Sequence, residues 1–392
     1  MSGGAGASTL VGVNVGILGC GHVSDKYFEG CARQEAIRVV ACADLDVNRA
    51  EQKAAEHRVP RAYSPQELMA DPEVDLVVNL TPPLAHAKAS LAAIGAGKHV
   101  WSEKPLAATL PAAREIVAAA SEAGVRVGCA PDTFLGGGLQ TSAKLIDDGW
   151  IGEPVAAVAM VSEPGYEHFH PDVASFYGPG GGPALDLGPY YVTALVAMLG
   201  PVARVTGFAR ASFPKRTVLT GPRRGQPIPV QVPTHVTGAM ELENGALVTV
   251  LMSWDVWATH LPYIEVYGTE GSLSVANPDT FDGVPRVRRA SEEELREPPP
   301  APGEVVWTPL PLTHDGKVRR GVGIADMAEA IRAGRPHRAS AELGCHVLEV
   351  LCALEGAAHE PGTVEIETRC ERPAPLQASQ SSNRSMADSR RR

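Results

Sequence analysis

Along the first 130 residues, short apolar runs bounded by glycine, proline or aspartate alternate with stretches whose apolar positions recur at helical spacing. Residues 14–18 form one such run, which breaks into Gly19-Cys20-Gly21-His22-Val23-Ser24 before a helical pattern. Residues 37–43 read as a second strand ending at Asp44, and 75–80 as a fourth, ending in Thr81-Pro82-Pro83. Ser64-Pro65-Gln66-Glu67 has the spacing of a capping box with proline at the first helical position, so a short helix opens there. The alanine-rich stretch 84–96 and residues 111–123, which Thr109 can cap, read as further helices, and 125–130 as a last strand. This alternation predicts a doubly wound parallel α/β sheet over residues 13–130.

Beyond residue 130 the rhythm changes. Strand patterns dominate at 155–161, 205–211, 234–242, 246–254 and 263–267. Asn244-Gly245 is a two-residue hairpin signal, and Gly268-Thr269-Glu270-Gly271 a second turn. Gly136-Gly137-Gly138 precedes a helix to 148, and helices are expected at 324–332 and 341–358. Residues 277–311, acidic and proline-rich, read as surface loops. These features predict an α+β domain over 131–370, a mostly antiparallel open-faced sheet with helices on one face. Residues 1–12 are expected to be flexible and 371–392, rich in Ser, Gln and Arg, to form a disordered tail.

Composition narrows the function classes. The 392 residues carry a formal charge of −10, and no Lys/Arg block lies outside the last residues, which argues against a nucleic-acid or anionic-membrane surface. No run reaches the ~18 apolar residues of a membrane span. Seven scattered cysteines without a CxxC pair fit reduced thiols, so a cytoplasmic location is expected. Small-molecule chemistry remains.

Three stretches carry candidate chemistry. In Gly19-Cys20-Gly21, the first glycine permits a tight turn and the second lets a pyrophosphate approach the backbone, with His22 and Val23 at the helix start; Ser24 replaces the third glycine of the dinucleotide fingerprint. Asp44, about 20 residues on, is placed to accept from an adenosine ribose, favouring NAD over NADP. In Val100-Trp101-Ser102-Glu103-Lys104-Pro105, a strand ends in a lysine held at the sheet's carboxyl edge, where partial desolvation can depress its pKa. The third stretch is 180–191, containing Asp186 and Tyr190 four apart. Pro189 leaves open whether one helix starts near Pro183 or a later one near Gly188.

Gly19-Cys20-Gly21, Asp44, Thr81-Pro82 and Glu103-Lys104-Pro105, in this order and spacing, resemble the Gfo/Idh/MocA oxidoreductases. The resemblance implies that Thr81, Pro82, Glu103 and Lys104 lie along the cofactor, with Lys104 beside the nicotinamide, and that the Lys104-Pro105 peptide is cis. It also implies that Tyr190, where most members carry histidine, transfers the proton while Asp186 orients substrate or catalyst. Lys104, as its neighbour, is expected to lower the tyrosine pKa. Packing of the open sheet face on a second subunit, giving a homodimer or homotetramer, is a further implication.

Softer candidates are Asp132 and Gln140, flanking the triple glycine, and Tyr166, His168, His170 and Asp172 in a Gly/Pro-rich loop. His168 and His170 have no third ligand at a recognisable spacing, so no metal site is expected. Trp254 and Trp257 are candidates for an apolar sugar-binding wall. The expected activity is NAD-dependent hydride transfer to or from a secondary alcohol or ketone of a sugar, cyclitol or polyol. A dihydrodiol-type dehydrogenase, an enzyme that retains and recycles its cofactor, and a non-catalytic cofactor-binding regulator are the alternatives.

Overall fold

The computed structural model describes residues 12–168, 173–289, 294, 305–356 and 362–378. Six strands, β1 (Val13–Leu18), β2 (Ile37–Ala43), β3 (Arg61–Tyr63), β4 (Leu76–Asn79), β5 (His99–Ser102) and β6 (Val127–Cys129), form a parallel sheet in the order β3-β2-β1-β4-β5-β6. This is the doubly wound order, whose reversal beside β1 opens a crevice at the strands' carboxyl ends. Helices α1 (Ser24–Cys31), α2 (Val47–His57), α3 (Pro65–Ala70), α4 (His86–Gly95) and α5 (Leu110–Ala123) make the crossovers. The β1 and β4 side chains are almost all buried, as strands covered on both faces must be. The Ser64–Glu67 capping box forms as expected and fixes the start of α3.

The second sheet has nine strands. These are β7 (Pro154–Ser162), β8 (Val202–Arg210), β11 (His235–Leu242), β12 (Leu247–Ser253), β13 (Ile264–Gly268), β14 (Ser272–Val275), β15 (Arg286–Arg288), β16 (Thr308–Pro309) and β17 (Thr363–Glu365), ordered β16-β15-β14-β13-β7-β12-β11-β8-β17. A separate small ribbon pairs β9 (Lys215–Thr217) with β10 (Pro227–Pro229). Every pairing in the nine-stranded sheet is antiparallel except β7 with β12. The stretch 277–311 is therefore not all loop, because β15 and β16 extend the sheet edge.

Helices α6 (Gly137–Asp147), α7 (Gly182–Asp186), α8 (Gly188–Leu199) and α10 (Ala341–Gly356) pack on the nine-stranded sheet, and α9 (Val322–Ala333) lies on the first domain. α9 packs on α1 and β6, and α10 on α5, β6 and β8, so the first domain is completed by the chain's later helices. Among the described residues no helix is long and apolar enough to cross a membrane.

The expected tail from 371 starts too early. Arg372 donates to the Ala197 carbonyl at 2.9 Å and pairs with Asp147 at 2.7 Å, and the Leu376 amide donates to Gln140 at 2.7 Å. Residues 371–378 lack apolar periodicity, yet these side-chain bonds fasten them to the body. Residues 1–11 and 379–392, on which the other terminal expectations fall, lie outside the described residues.

Candidate active site

The first βα turn is built as its glycines require. Gly19 has φ +99°, and a Cβ there would lie 2.8 Å from the Leu80 carbonyl oxygen; at Gly21 a Cβ would meet nothing within 4 Å, leaving room for a ligand to approach the backbone. Gly21 and His22 are exposed and Val23 is half-buried at the start of α1. Ser24 is fully buried and its hydroxyl donates to the Gly21 carbonyl at 2.7 Å, closing the turn that a third glycine would otherwise tighten.

Asp44 follows β2 at the sheet's carboxyl edge, and its buried carboxylate organises the turn. It accepts from the Cys20 amide at 2.8 Å and the Asp46 amide at 3.0 Å, with the Arg49 guanidinium 3.5 Å away. Asp46 holds the N-cap position of α2 without a side-chain cap bond. Thr81 is fixed by Asn79, which accepts its amide and hydroxyl, and Pro82 is exposed beside it. A buried histidine, His86, lies 2.7 Å from the Thr81 carbonyl and 2.6 Å from that of Pro105, clasping two crevice loops together. Burial holds its imidazole below its ordinary pKa, outweighing the two carbonyl contacts.

Glu103 is buried, and its carboxylate is taken up by neighbouring groups. Its Oε1 accepts from the Tyr27 hydroxyl at 2.7 Å and from Arg320 at 3.0 Å, and its Oε2 accepts the Lys104 amide at 2.9 Å. Burial alone would raise this carboxyl, but Arg320, Lys104 and Tyr27 hold it below its ordinary value. Arg320 also sits 5.5 Å from the Tyr27 ring centre. Neither Arg320 nor Tyr27 belongs to a short motif, so no local pattern points to them.

Lys104, whose peptide to Pro105 is cis, reaches across to the second domain. Its Nζ donates to the Asp186 carbonyl at 2.6 Å and carboxylate at 2.7 Å, and lies 5.3 Å from the Tyr190 ring centre. The alternatives around Pro189 resolve into two helices. α7 ends at Asp186, α8 begins at Gly188, and Leu187 joins them. The Tyr190 amide bonds Leu187 rather than Asp186, so the Asp186 carbonyl is left for Lys104. Gly188 permits the close approach, since a Cβ there would lie 2.6 Å from Leu351 and 3.0 Å from Met252.

The expected lysine pKa is reversed. Burial acts to lower it, but Asp186, Tyr190 and Glu103 outweigh burial and raise the ammonium above its ordinary value. Tyr190 departs from expectation in the same way: Lys104 does pull it down, yet burial dominates and the phenol ends above its ordinary pKa. A cation beside a neutral phenol is the resulting state at neutral pH.

These residues line a cavity of about 420 Å³ with Glu163, Tyr166, Phe176, Leu187 and Asp279. Tyr166 hydrogen-bonds Asp186, and its ring meets Phe176 edge-on at 5.0 Å. Glu163 and Asp279 were not singled out in the sequence, because each follows a strand end in an unremarkable turn. Asp132 and Gln140 are corrected: neither lines the cavity. Asp132 is fully buried and accepts from the Gly321 and Gly323 amides, capping α9, while Gln140 bridges the Phe134 carbonyl and the Leu376 amide. Trp254 is likewise buried, against Tyr177 and Tyr166, and Trp257 is exposed. His168 is exposed near Glu163; His170 and Asp172 lie outside the described residues.

A family model for the oxidoreductase family, NAD-binding Rossmann fold, matches residues 13–130, and one for the GFO/IDH/MocA C-terminal domain matches 139–274. The chain is 30% identical over 310 residues to 1,5-anhydro-D-fructose reductase of Ensifer adhaerens, covering 76% of this chain and 86% of that protein. The chain is a Gfo/Idh/MocA oxidoreductase. Within this family it is also 35% identical over 164 residues to trans-1,2-dihydrobenzene-1,2-diol dehydrogenase of Mus musculus, covering 42% of this chain and 48% of that protein. The fold matches that of levoglucosan dehydrogenase in complex with NADH and levoglucosan, with a TM-score of 0.76 at 20% identity, over 91% of this chain and all of that one. The open approach to Gly21, the exposed start of α1 and the carboxylate of Asp44 fit the NAD that the family binds.

Proposed function

We propose that this Gfo/Idh/MocA oxidoreductase transfers hydride between NAD and a secondary alcohol or ketone of a sugar, cyclitol or other polyol. The observation that carries this reading is the Lys104 ammonium, bonded at once to the Asp186 carbonyl and carboxylate and lying 5.3 Å from the centre of the Tyr190 ring, inside a polar cavity at the sheet's carboxyl edge. The relatives that act on anhydrofructose, inositol and xylose support the substrate class.

The nicotinamide, when bound, supplies or accepts the hydride. Lys104, kept charged by Asp186, polarises the substrate oxygen. Tyr190, held as a phenol by burial, gives that oxygen a proton as a carbonyl is reduced, and Lys104 stabilises the tyrosinate left behind. Asp186 fixes the lysine, and Tyr166 fixes Asp186. Asp44 favours NAD over NADP through its charge, and Gly19, Gly21, His22, Val23, Thr81 and Pro82 frame the cofactor.

The test is turnover with NAD and NADP against sugars, cyclitols and diols, with Lys104→Ala as the control. Activity with a polyol that falls by about 10³-fold in the variant is expected; turnover indifferent to Lys104→Ala overturns the reading. The Phe176 and Tyr166 rings on the cavity wall favour one second reading, an aromatic dihydrodiol, which the same panel includes.

A further inference from the structure

Lys104 is held twice, at its ammonium by Asp186 and at its backbone by Glu103, and the second hold reaches a residue late in the chain. Glu103 Oε2 accepts the Lys104 amide at 2.9 Å, while its Oε1 accepts from the Tyr27 hydroxyl at 2.7 Å and from Arg320 at 3.0 Å. One carboxylate therefore ties the Lys104 backbone to α1 and to a residue shortly before α9. The Trp101 indole N–H points to the Tyr27 hydroxyl at 3.5 Å, and the Arg320 guanidinium lies 5.5 Å from the Tyr27 ring centre.

Arg320 is itself tightly placed. Asp132 Oδ2 accepts the Gly321 and Gly323 amides at 2.9 and 3.1 Å, which fixes the chain directly after it. On the other side, α1 comes so close that a side chain at Gly30 would overlap the Arg320 carbonyl. Charge gives the placement a consequence. Burial raises the Glu103 carboxyl, and Arg320 leads the groups that outweigh burial and keep it ionised. A buried carboxylate stripped of that cation is costly and seeks another partner or a proton. At Tyr190, after burial and Lys104, Glu103 raises the phenol and Arg320 lowers it, so the pair nearly balances there only while both are charged. Arg320 does not line the cavity, which leaves Glu103 as its route to the reaction.

We propose that Arg320 is a positioning residue: acting through Glu103, it fixes the Lys104 backbone so that the ammonium meets Asp186 and stands beside Tyr190. The inference rests on the polyol oxidoreductase reading and adds to it a residue from the far end of the chain. A planar guanidinium, directed at Oε1 and lying against Tyr27, suits this task better than a flexible ammonium.

Two variants separate placement from packing. Arg320→Met keeps the stem and removes the charge, and Arg320→Lys keeps the charge and loses the planar fork. With a polyol that the native protein turns over, Arg320→Met is expected to lower kcat by about 10²-fold while KM and the calorimetric Kd for NAD change less than about three-fold. Arg320→Lys is expected to regain about ten-fold of that loss. Adding Glu103→Gln to Arg320→Met is also expected to regain about ten-fold, because no buried carboxylate is then left unpaired and the amide oxygen still accepts from Lys104. A second readout needs no substrate: acetylation of Lys104 by acetic anhydride, followed by mass spectrometry. It is expected to run about ten-fold faster in Arg320→Met, with other lysines unchanged, because an ammonium drawn away from Asp186 loses the charge that keeps it protonated.

Unchanged kcat or unchanged Lys104 acetylation in Arg320→Met overturns the inference, as does a loss that deepens when Glu103→Gln is added. Faster labelling of all lysines alike, or failure of both Arg320 variants to fold, assigns Arg320 to packing alone and overturns it too. Turnover that depends on Lys104 but not on Arg320 defeats only this inference; turnover insensitive to Lys104→Ala defeats the underlying reading.

Discussion

At Lys104 burial and charge act in opposite directions, and the structure decides between them. A lysine at a strand end between apolar residues is expected to titrate low, but the carboxylate that reverses this lies 82 residues away. Asp44 has a comparable second role, since its contacts to the Cys20 and Asp46 amides tie the glycine turn to the start of α2. Asp44→Ser is predicted to weaken NAD and improve NADP relative to it, because the 2′-phosphate no longer meets a carboxylate and Arg49 is released to pair with it. The ratio of kcat/KM for the two cofactors is the measurement, and an unchanged ratio places the ribose elsewhere. Glu355 is a residue-scale strain of another kind: its Oε1 is buried without a partner among the described residues, and burial pushes its carboxyl up to about 7. Its folded value lies above the unfolded value of about 4.3, so its favourable contribution is present below that pH and lost as pH rises through 7. Glu355→Gln is predicted to stabilise the fold by about 1–3 kcal/mol at pH 8, with no gain at pH 4; thermal melts at both values check it.

At the scale of elements, the break between α7 and α8 is what builds the lysine socket. Pro189 lacks an amide hydrogen and favours a helix start, and the short α7 stops with the Asp186 carbonyl unclaimed by Tyr190. Pro189→Ala is predicted to let the helix run through, so that the Tyr190 amide competes for that carbonyl. Activity is expected to fall by about 10²-fold from misplacement of Lys104 and Tyr190, with melting temperature unchanged or raised. Loss of stability instead of activity would mean the break serves packing alone.

At the scale of the whole molecule, the covered and open faces of the nine-stranded sheet differ in kind. Helices bury one face, while on the other Phe208, 72% exposed, stands across from Thr237, and Thr206 from Ala239. Leu247, next to Glu241 on the same face, is 56% exposed. Arg204 and Glu241 pair across this face at 2.6 Å, and the exposed Phe208 and Leu247 around them are expected to be covered by a second copy of the chain. Phe208→Asp is predicted to shift the protein toward monomer in light scattering after gel filtration, with the fold kept; a native protein that is already monomeric refutes the assignment.

Local pattern determined much of this protein. The alternation of strand and helix, the glycine turn at 19–21, the capping box at Ser64 and the hairpin at Asn244-Gly245 depend on neighbours within a few residues, and each was legible for that reason. The order and spacing of Asp44, Thr81-Pro82 and Glu103-Lys104-Pro105 were legible too, because each follows the carboxyl end of a strand of one parallel sheet. Tertiary structure alone decided the rest. One carboxylate oxygen of Asp132 turned out to hold the Gly321 and Gly323 amides, the Gln140 side-chain oxygen the Leu376 amide, and Glu103 to be a buried anchor for Arg320. Whether a polar side chain faces a cavity or a distant amide depends on contacts far apart in sequence, as do the charges that set its pKa, and composition and periodicity carry no record of those contacts.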